Sequence, residues 1–431
     1  MKKITVRDLV KRLSAREIIS DMEIIGAIDH DSLAQLLQYD GQTDEWFFRE
    51  KFILRDCKIE NIDLRSINFE NRFELRNCAI GSAVFTGVKF RKGANFSTTQ
   101  FFECPSFYQT WFFWTAYFSD TVFHAGAEFG FAFFKEWALF HHAHFSENAD
   151  FRSASFEKRA LFGGIRAAKV DFTYSRFYDL MILSTAEIDS SKLDKLIMEE
   201  SRIFGSMDLS GVECVTLSLA KAKCTGSIKL RGAKFDKVDL TDAAYNELDV
   251  DLDQIFIAKP NRSKLIFEDG ANSPRSLKII YMRLKVNYQK LGMRDEEDEL
   301  YRRLRGVEAQ TKRETRNYLP YIIDKYILDL LFGYGTLPYR AFASSVALVL
   351  LYSMLYVLFG ISKGNPGLWG GQFSLSGAFD SLYFSCITFT TIGYGDITPT
   401  GVARFLAATE GFFGIFMMGA FSVTFARKLL R

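Results

Sequence analysis

Phenylalanine marks this chain at intervals that neither a helix nor a strand produces. From Phe85 it recurs at 90, 96, 101, 107, 112, 118, 123, 129, 134, 140, 145, 151, 156 and 162, and from Phe90 the steps alternate six and five. Small residues stand two positions earlier at Ala94, Ala116, Ala127, Ala138, Ala143, Ala149, Ala154 and Ala160. The lattice continues less uniformly through Phe172, Phe177, Ile182, Ile188, Leu193, Met198, Ile203, Leu209, Cys214, Leu219, Cys224, Leu230, Phe235, Leu240 and Tyr245. Such steps scatter around a helix and break the two-residue alternation of a strand. They fit a solenoid in which each side of a coil turns one large and one small residue inward, leaving the polar residues between them to water. Four sides make a coil of about 22 residues, so 51–255 predicts about nine coils and, at ~4.8 Å per coil, a rod of ~45 Å. Residues 1–50 are expected to cap one end against edge pairing.

After residue 255 the period becomes helical. SLKIIYMRLKVNYQKLG (276–292) puts Ile280, Leu284 and Tyr288 on one face, and 294–317 is a charged segment whose acidic start, Asp295 to Glu299, precedes Arg302, Arg303 and Arg305. That polarity suits a helix dipole and spaced ion pairs in a solvated linking helix. YLPYIIDKYILDLLFGYG (318–335) alternates apolar and charged faces, the pattern of a helix lying in the headgroup region. The charge-free run 341–361 has a helical length of ~31 Å, a bilayer core. A second run, 405–426, carries one ionisable residue, Glu410. Between them, 377–390 is apolar and too short to cross, so it is expected to enter and stop midway. Arg340, Arg427, Lys428 and Arg431 flank the spans on one side, which puts both termini and the rod in the cytoplasm of a cell-membrane, multi-pass protein. The expected domains are therefore a cap (1–50), a β-helix (51–255), a helical linker with an interfacial helix (256–338) and a two-span unit (339–431).

Composition removes several alternatives. A formal charge of +2 gives no global bias toward nucleic acid. The six cysteines, Cys57, Cys78, Cys104, Cys214, Cys224 and Cys386, form no CxxC pair and read as reduced, packed thiols. The start, MKKITVRDLVKRLSAREII, lacks an apolar run suited to a signal peptide. His141, His142 and His144 fall at outward positions between Phe140 and Phe145, a solvated corner and not a metal site. DVDLDQ (249–254) is no calcium loop, because Pro260 stands where the bidentate glutamate belongs.

Gly-Tyr-Gly occurs twice. The copy at 333–335 reads as a turn before the first span. The copy in TTIGYGD (390–396) lies between the spans, where glycines at 393 and 395 permit carbonyls to turn toward an axis and replace an ion's hydration shell. Thr391 adds a hydroxyl, Tyr394 is large enough to brace the strand, and Asp396 can hydrogen-bond at the outer mouth. One chain supplies one strand, so several must assemble.

The lattice resembles the pentapeptide-repeat family, which implies a right-handed quadrilateral β-helix; some members imitate DNA, but the balanced charge over 50–250 argues against that here. TFTTIGYGD, set between two spans, resembles the signature of two-span potassium channels. That resemblance implies a homotetramer, no enzyme and no cofactor, with permeant potassium held at Thr391, Ile392, Gly393 and Tyr394 and the filter completed by Gly395 and Asp396. It also implies that Gly414 is a hinge, with Met418, Ser422 and Ala426 following along the pore and Glu410 bonded to the pore helix. Two rival readings are a membrane-anchored repeat scaffold with a silent pore and a non-selective cation channel. The fold class is thus mixed: a solenoid, a helical linker and a two-span α-helical pore with a re-entrant helix. Membrane lipid is an expected partner, nucleic acid is not, and the sequence names no ligand or protein partner for the rod.

Overall fold

The structure is a computed structural model that describes residues 1–184, 192–250, 256–259, 262–265, 274–361 and 375–430. Most of the 249–254 segment and Ile188 lie outside the described residues. The chain divides into two compact units, Met1–Ser276 and Leu277–Arg431.

The first unit is a parallel β-solenoid of about 11 turns. One of its sheets runs in steady order from Lys2–Thr5 and Met22–Ile28 through Lys58–Asp63, Ala79–Val84 and onward to Lys234–Asp239. The first 50 residues, expected as a cap, therefore also supply rungs. Lys2–Thr5 pairs in parallel with Met22–Ile28, which pairs with Lys58–Asp63. Helix α1 (Val6–Ser14) and the single-turn α2 (His30–Leu33) are inserted between these strands, with α1 burying Leu9, Val10 and Leu13. An antiparallel pair, Leu37–Asp40 with Glu45–Phe48, completes this end.

Each phenylalanine from Phe85 to Phe162 in the lattice is 0–1% exposed, so the repeat is the core. Rings stack coil on coil: Phe107, Phe129 and Phe151 lie nearly parallel with centroids 4.7 and 4.8 Å apart. Neighbouring columns meet edge to face, as Phe118 meets Phe129 at 5.2 Å and 88°. Offset stacks and T-contacts are the two favourable aromatic geometries, and one repeat makes both at once. Buried threonines satisfy the inner corner, with Thr99, Thr110 and Thr121 donating to the carbonyls of Leu75, Phe85 and Phe96 at 2.5, 2.7 and 2.9 Å. Sharp corners place Asp120, Phe131, His142, Ser153 and Tyr174 at φ of 55–61°. His141, His142 and His144 point outward as the lattice requires.

Two expectations need correction. Leu183, and not Ile182, takes the inward position: Met181 is in register with Ala160, so the residue two further on continues the Phe162 column. The step from Phe177 is six, not five. Among the cysteines, Cys57, Cys78, Cys214 and Cys224 are buried, but Cys104, outside the inward positions of the lattice, and Cys386, in a helix of the second unit, are exposed.

The second unit is helical. Helices α3 (Pro274–Leu291) and α4 (Arg294–Glu314) bury Leu284, Tyr288, Leu300 and Leu304. Burial pushes the Tyr281 hydroxyl up to about 12. A short α5 (Tyr318–Ile322) continues as a π-helix, Ile323–Leu331, tied to α4 by Lys312 and Asp324 at 2.5 Å. Then come α6 (Pro338–Phe359), α7 (Leu375–Phe389) and α8 (Ala403–Leu429). The apolar windows of α6 and α8 have mean hydropathies of 2.1 and 1.5 and are only 11% and 17% buried, so both helices are long and apolar enough to cross a membrane.

Candidate functional site

Helix α7 has 15 residues. At 1.5 Å per residue it is ~22 Å long, short of a ~30 Å bilayer core. It packs against both α6 and α8 through Phe384 and Ile387, which meet Tyr352, Tyr356 and Ala403. TTIGYGD begins at its C-terminal end. The N–H of Thr391 donates to Thr388 O at 3.0 Å, and those of Ile392 and Gly393 both donate to Ile387 O at 2.9 and 3.2 Å, so the segment is anchored as it leaves the helix.

Beyond that point the backbone is unusual. Thr391, Gly393 and Gly395 have φ of 58°, 55° and 77°. Glycine adopts these values freely, but a β-branched threonine does so rarely and at a cost on the order of 1–3 kcal/mol. Residues 390–396 are all exposed in the single chain, Tyr394 by 71%. Tyr394 therefore does not brace the strand from within its own chain. Tyr383 of α7 lies near Asp396.

Glu410 is fully buried in α8. It accepts from Tyr356 Oη of α6 at 2.6 Å and from Ser385 Oγ of α7. Next to it, Tyr352 Oη of α6 bonds Thr409 Oγ1 at 3.1 Å. One carboxylate thus ties both spans to the short helix. The resemblance to two-span channels implied a partner on α7, while Tyr356, 54 residues from Glu410, carried no signal because only the fold brings it close.

Gly414 is buried where α8 passes the end of α7: a β-carbon there would lie 2.0 Å from Phe389 O. Helix α8 continues unbroken through it, which gives the glycine a close-packing reason beside the expected hinge. Met418 is half-buried against the Phe332, Ala341, Phe389 and Met417 cluster, Ser422 is exposed and Ala426 half-buried. Exposure along the expected stripe therefore rises at Ser422 and falls again at Ala426.

The other copy, Gly333–Gly335, forms a single 3₁₀ turn with Tyr334 at φ 55°. Thr336 Oγ1 donates to Gly333 O at 2.8 Å and accepts from Arg302 of α4 at 3.0 Å. Burial pushes Tyr334 up to about 12. It is a structural corner.

At the end of α8, Arg427 meets Asp298 of α4 at 3.3 Å and Lys428 meets Asp295 at 3.4 Å. Arg427 also lies 5.3 Å from the centre of the Tyr301 ring. These contacts link the charged linker helix to the second span, and no spacing in the sequence announced them.

Comparison with known proteins agrees with this geometry. Residues 344–431 match the ion channel family model. The chain is 46% identical over 75 residues to Protein LctB of Geobacillus stearothermophilus, a match that covers 16% of this chain and 55% of that protein. It is 50% identical over 38 residues to Protein LctB of Bacillus caldotenax, covering 9% of this chain and 28% of the relative. The matches thus span about half the length of the first relative and less of the second. No solved structure matches. The C-terminal match supports an ion-channel function, and with the two apolar helices it supports a membrane protein.

Proposed function

We propose that four copies of this chain form a potassium-selective channel through which ions pass passively down their gradient, with the solenoid and both termini on the cytoplasmic side of the cell membrane. The observation that carries the reading is the segment Thr391 to Asp396. It leaves a helix too short to cross, lies between two spans, and combines left-handed backbone at Thr391, Gly393 and Gly395 with full exposure in one chain. Around a four-fold axis, the carbonyls of Thr391, Ile392, Gly393 and Tyr394 would replace the water of a potassium ion, with Gly395 and Asp396 finishing the outer mouth and Met418, Ser422 and Ala426 lining the passage below. The exposed Tyr318, Leu319, Ile322, Tyr326 and Leu330 of the interfacial segment suit contact with lipid headgroups and upper acyl chains.

The test is electrical. In reconstituted bilayers with opposed potassium and sodium gradients, the reversal potential should fall close to the potassium equilibrium value. A reversal near zero would indicate a non-selective cation pore, and no current at all a silent scaffold.

A further inference from the structure

Three of the five tryptophans of the chain stand outward on two neighbouring coils of the solenoid. Trp111, Trp114 and Trp137 are 40%, 59% and 42% exposed, although the core beneath them is complete. Strand register stacks Lys89, Trp111, Phe133 and Ser155 in one outward column. Just past these two-residue strands, on the same face, a second column runs Arg91, Phe113, Lys135, Glu157, the N–H of each of the last three donating to the strand end of the coil before it. Within the chain, Trp111 lies 4.7 Å from Phe133. The Arg91 guanidinium and the Lys135 amine lie 4.6 and 5.9 Å from the centre of the Phe113 ring. Among the described residues, Arg91, Lys135 and Glu157 enter no ion pair.

The order of the second column is basic, aromatic, basic, acidic. Turned end for end it complements itself: Arg91 stands opposite Glu157, and Phe113 opposite Lys135. In the first column the same operation sets Trp111 against Phe133. We propose that this wall docks on the same wall of a second copy of the chain, with the two solenoids antiparallel about a two-fold axis that crosses between the Trp111 and Phe133 rungs. Each Arg91 then pairs with the partner's Glu157 at the rim, while cation–π and aromatic contacts fill the centre. A Trp at the middle of a patch, ringed by charge, is among the residues that carry most association energy, and an isologous contact needs only one such patch. The wall's carboxylates, Glu136 and Glu157, favour a second copy over a polyanion or an anionic bilayer, because either of those would leave both uncompensated. The pairing does not depend on which ion the pore conducts.

Engineered cysteines test it in the full-length chain. With exposed Cys104 and Cys386 replaced by Ser, Arg91→Cys and Glu157→Cys are introduced together and treated in membranes with a mild copper oxidant. In one chain the two sites are three rungs, ~14 Å, apart, too far for an internal disulfide. A covalent dimer should therefore appear on a denaturing non-reducing gel, vanish with reductant, and fall at least several-fold when Trp111→Ala and Trp114→Ala are added. Neither single cysteine should give it. No dimer from the pair would overturn the proposal. A dimer from Arg91→Cys alone would mean solenoids aligned in the same direction, and would overturn the register. Quenching of the wall tryptophans by brominated lipid in phosphatidylglycerol bilayers, without a dimer, would assign the wall to a membrane instead. The gel reports pairing of solenoids whether or not current flows, so it fails separately from the channel reading.

Discussion

At Gly393 and Gly395 a β-carbon would meet nothing within 4 Å, so what forbids a side chain there is the dihedral and not the room. An alanine at φ 55° costs roughly 1–2 kcal/mol and relaxes toward negative φ, turning a carbonyl away from the axis. Gly393→Ala is therefore expected to abolish potassium flux in proteoliposomes while cross-linking still shows assembled oligomers. Undiminished flux would remove this glycine from the conduction path. Glu410 works in the opposite way, through packing. Glu410→Ala orphans the buried hydroxyl of Tyr356, at about 1–3 kcal/mol, and leaves Ser385 only the Val349 carbonyl as acceptor, whereas Glu410→Gln keeps an acceptor for one of the two hydroxyls. The thermal midpoint of the purified membrane protein should drop clearly for Ala and less for Gln. Equal midpoints would show that the carboxylate is not the tie between the helices.

The elements repeat this contrast between what a chain states locally and what only folding supplies. Phe129 stacks on Phe107 and Phe151 and meets Phe118 and Phe140 edge-on at 5.2 and 5.3 Å. Phe129→Ala should cost on the order of 3–5 kcal/mol and, in hydrogen exchange, open the coils on either side before distant ones. Protection unchanged at those coils would refute a stacked core. The lattice was legible because each side of a coil repeats one inward residue, so identity and period coincide. It slipped by one at Leu183, where Met181 replaces the small residue that marked the register. It was silent before residue 50, where Ile4, Ile19, Ile24 and Ile28 are buried without phenylalanine or period and two helices interrupt the rungs. In α4, Glu299 shows how a charged helix holds itself. Burial alone would raise its pKa, but hydrogen bonds from Arg302 and from Arg303, the latter at 2.7 Å, hold it below the ordinary carboxylate range. With the folded value below the unfolded one, its contribution is present above about pH 4.3 and is lost as pH falls through the folded value. Thermal midpoints should fall in acid more steeply for the wild type than for Glu299→Gln, and parallel curves would deny the pair a role.

At the scale of the whole molecule, the two units divide the work. Everything proposed to conduct lies in Leu277–Arg431: both apolar helices, the short α7, the strained Thr391–Gly395 backbone, the Glu410 network and the Arg427 to Asp298 tie. The signature was readable in the sequence because a filter is written in consecutive residues. The ties that hold it were not, because they join positions up to 133 residues apart. The exposed wall of the solenoid suits association between copies. Selectivity should then survive removal of the solenoid even where opening does not. A chain of residues 277–431, reconstituted beside the full-length protein, is expected to give the same reversal potential in a potassium to sodium gradient, while its open probability is free to change. A reversal potential shifted toward zero in the shortened chain would mean that the solenoid helps hold the filter geometry, and the division of labour drawn from the two units would fail.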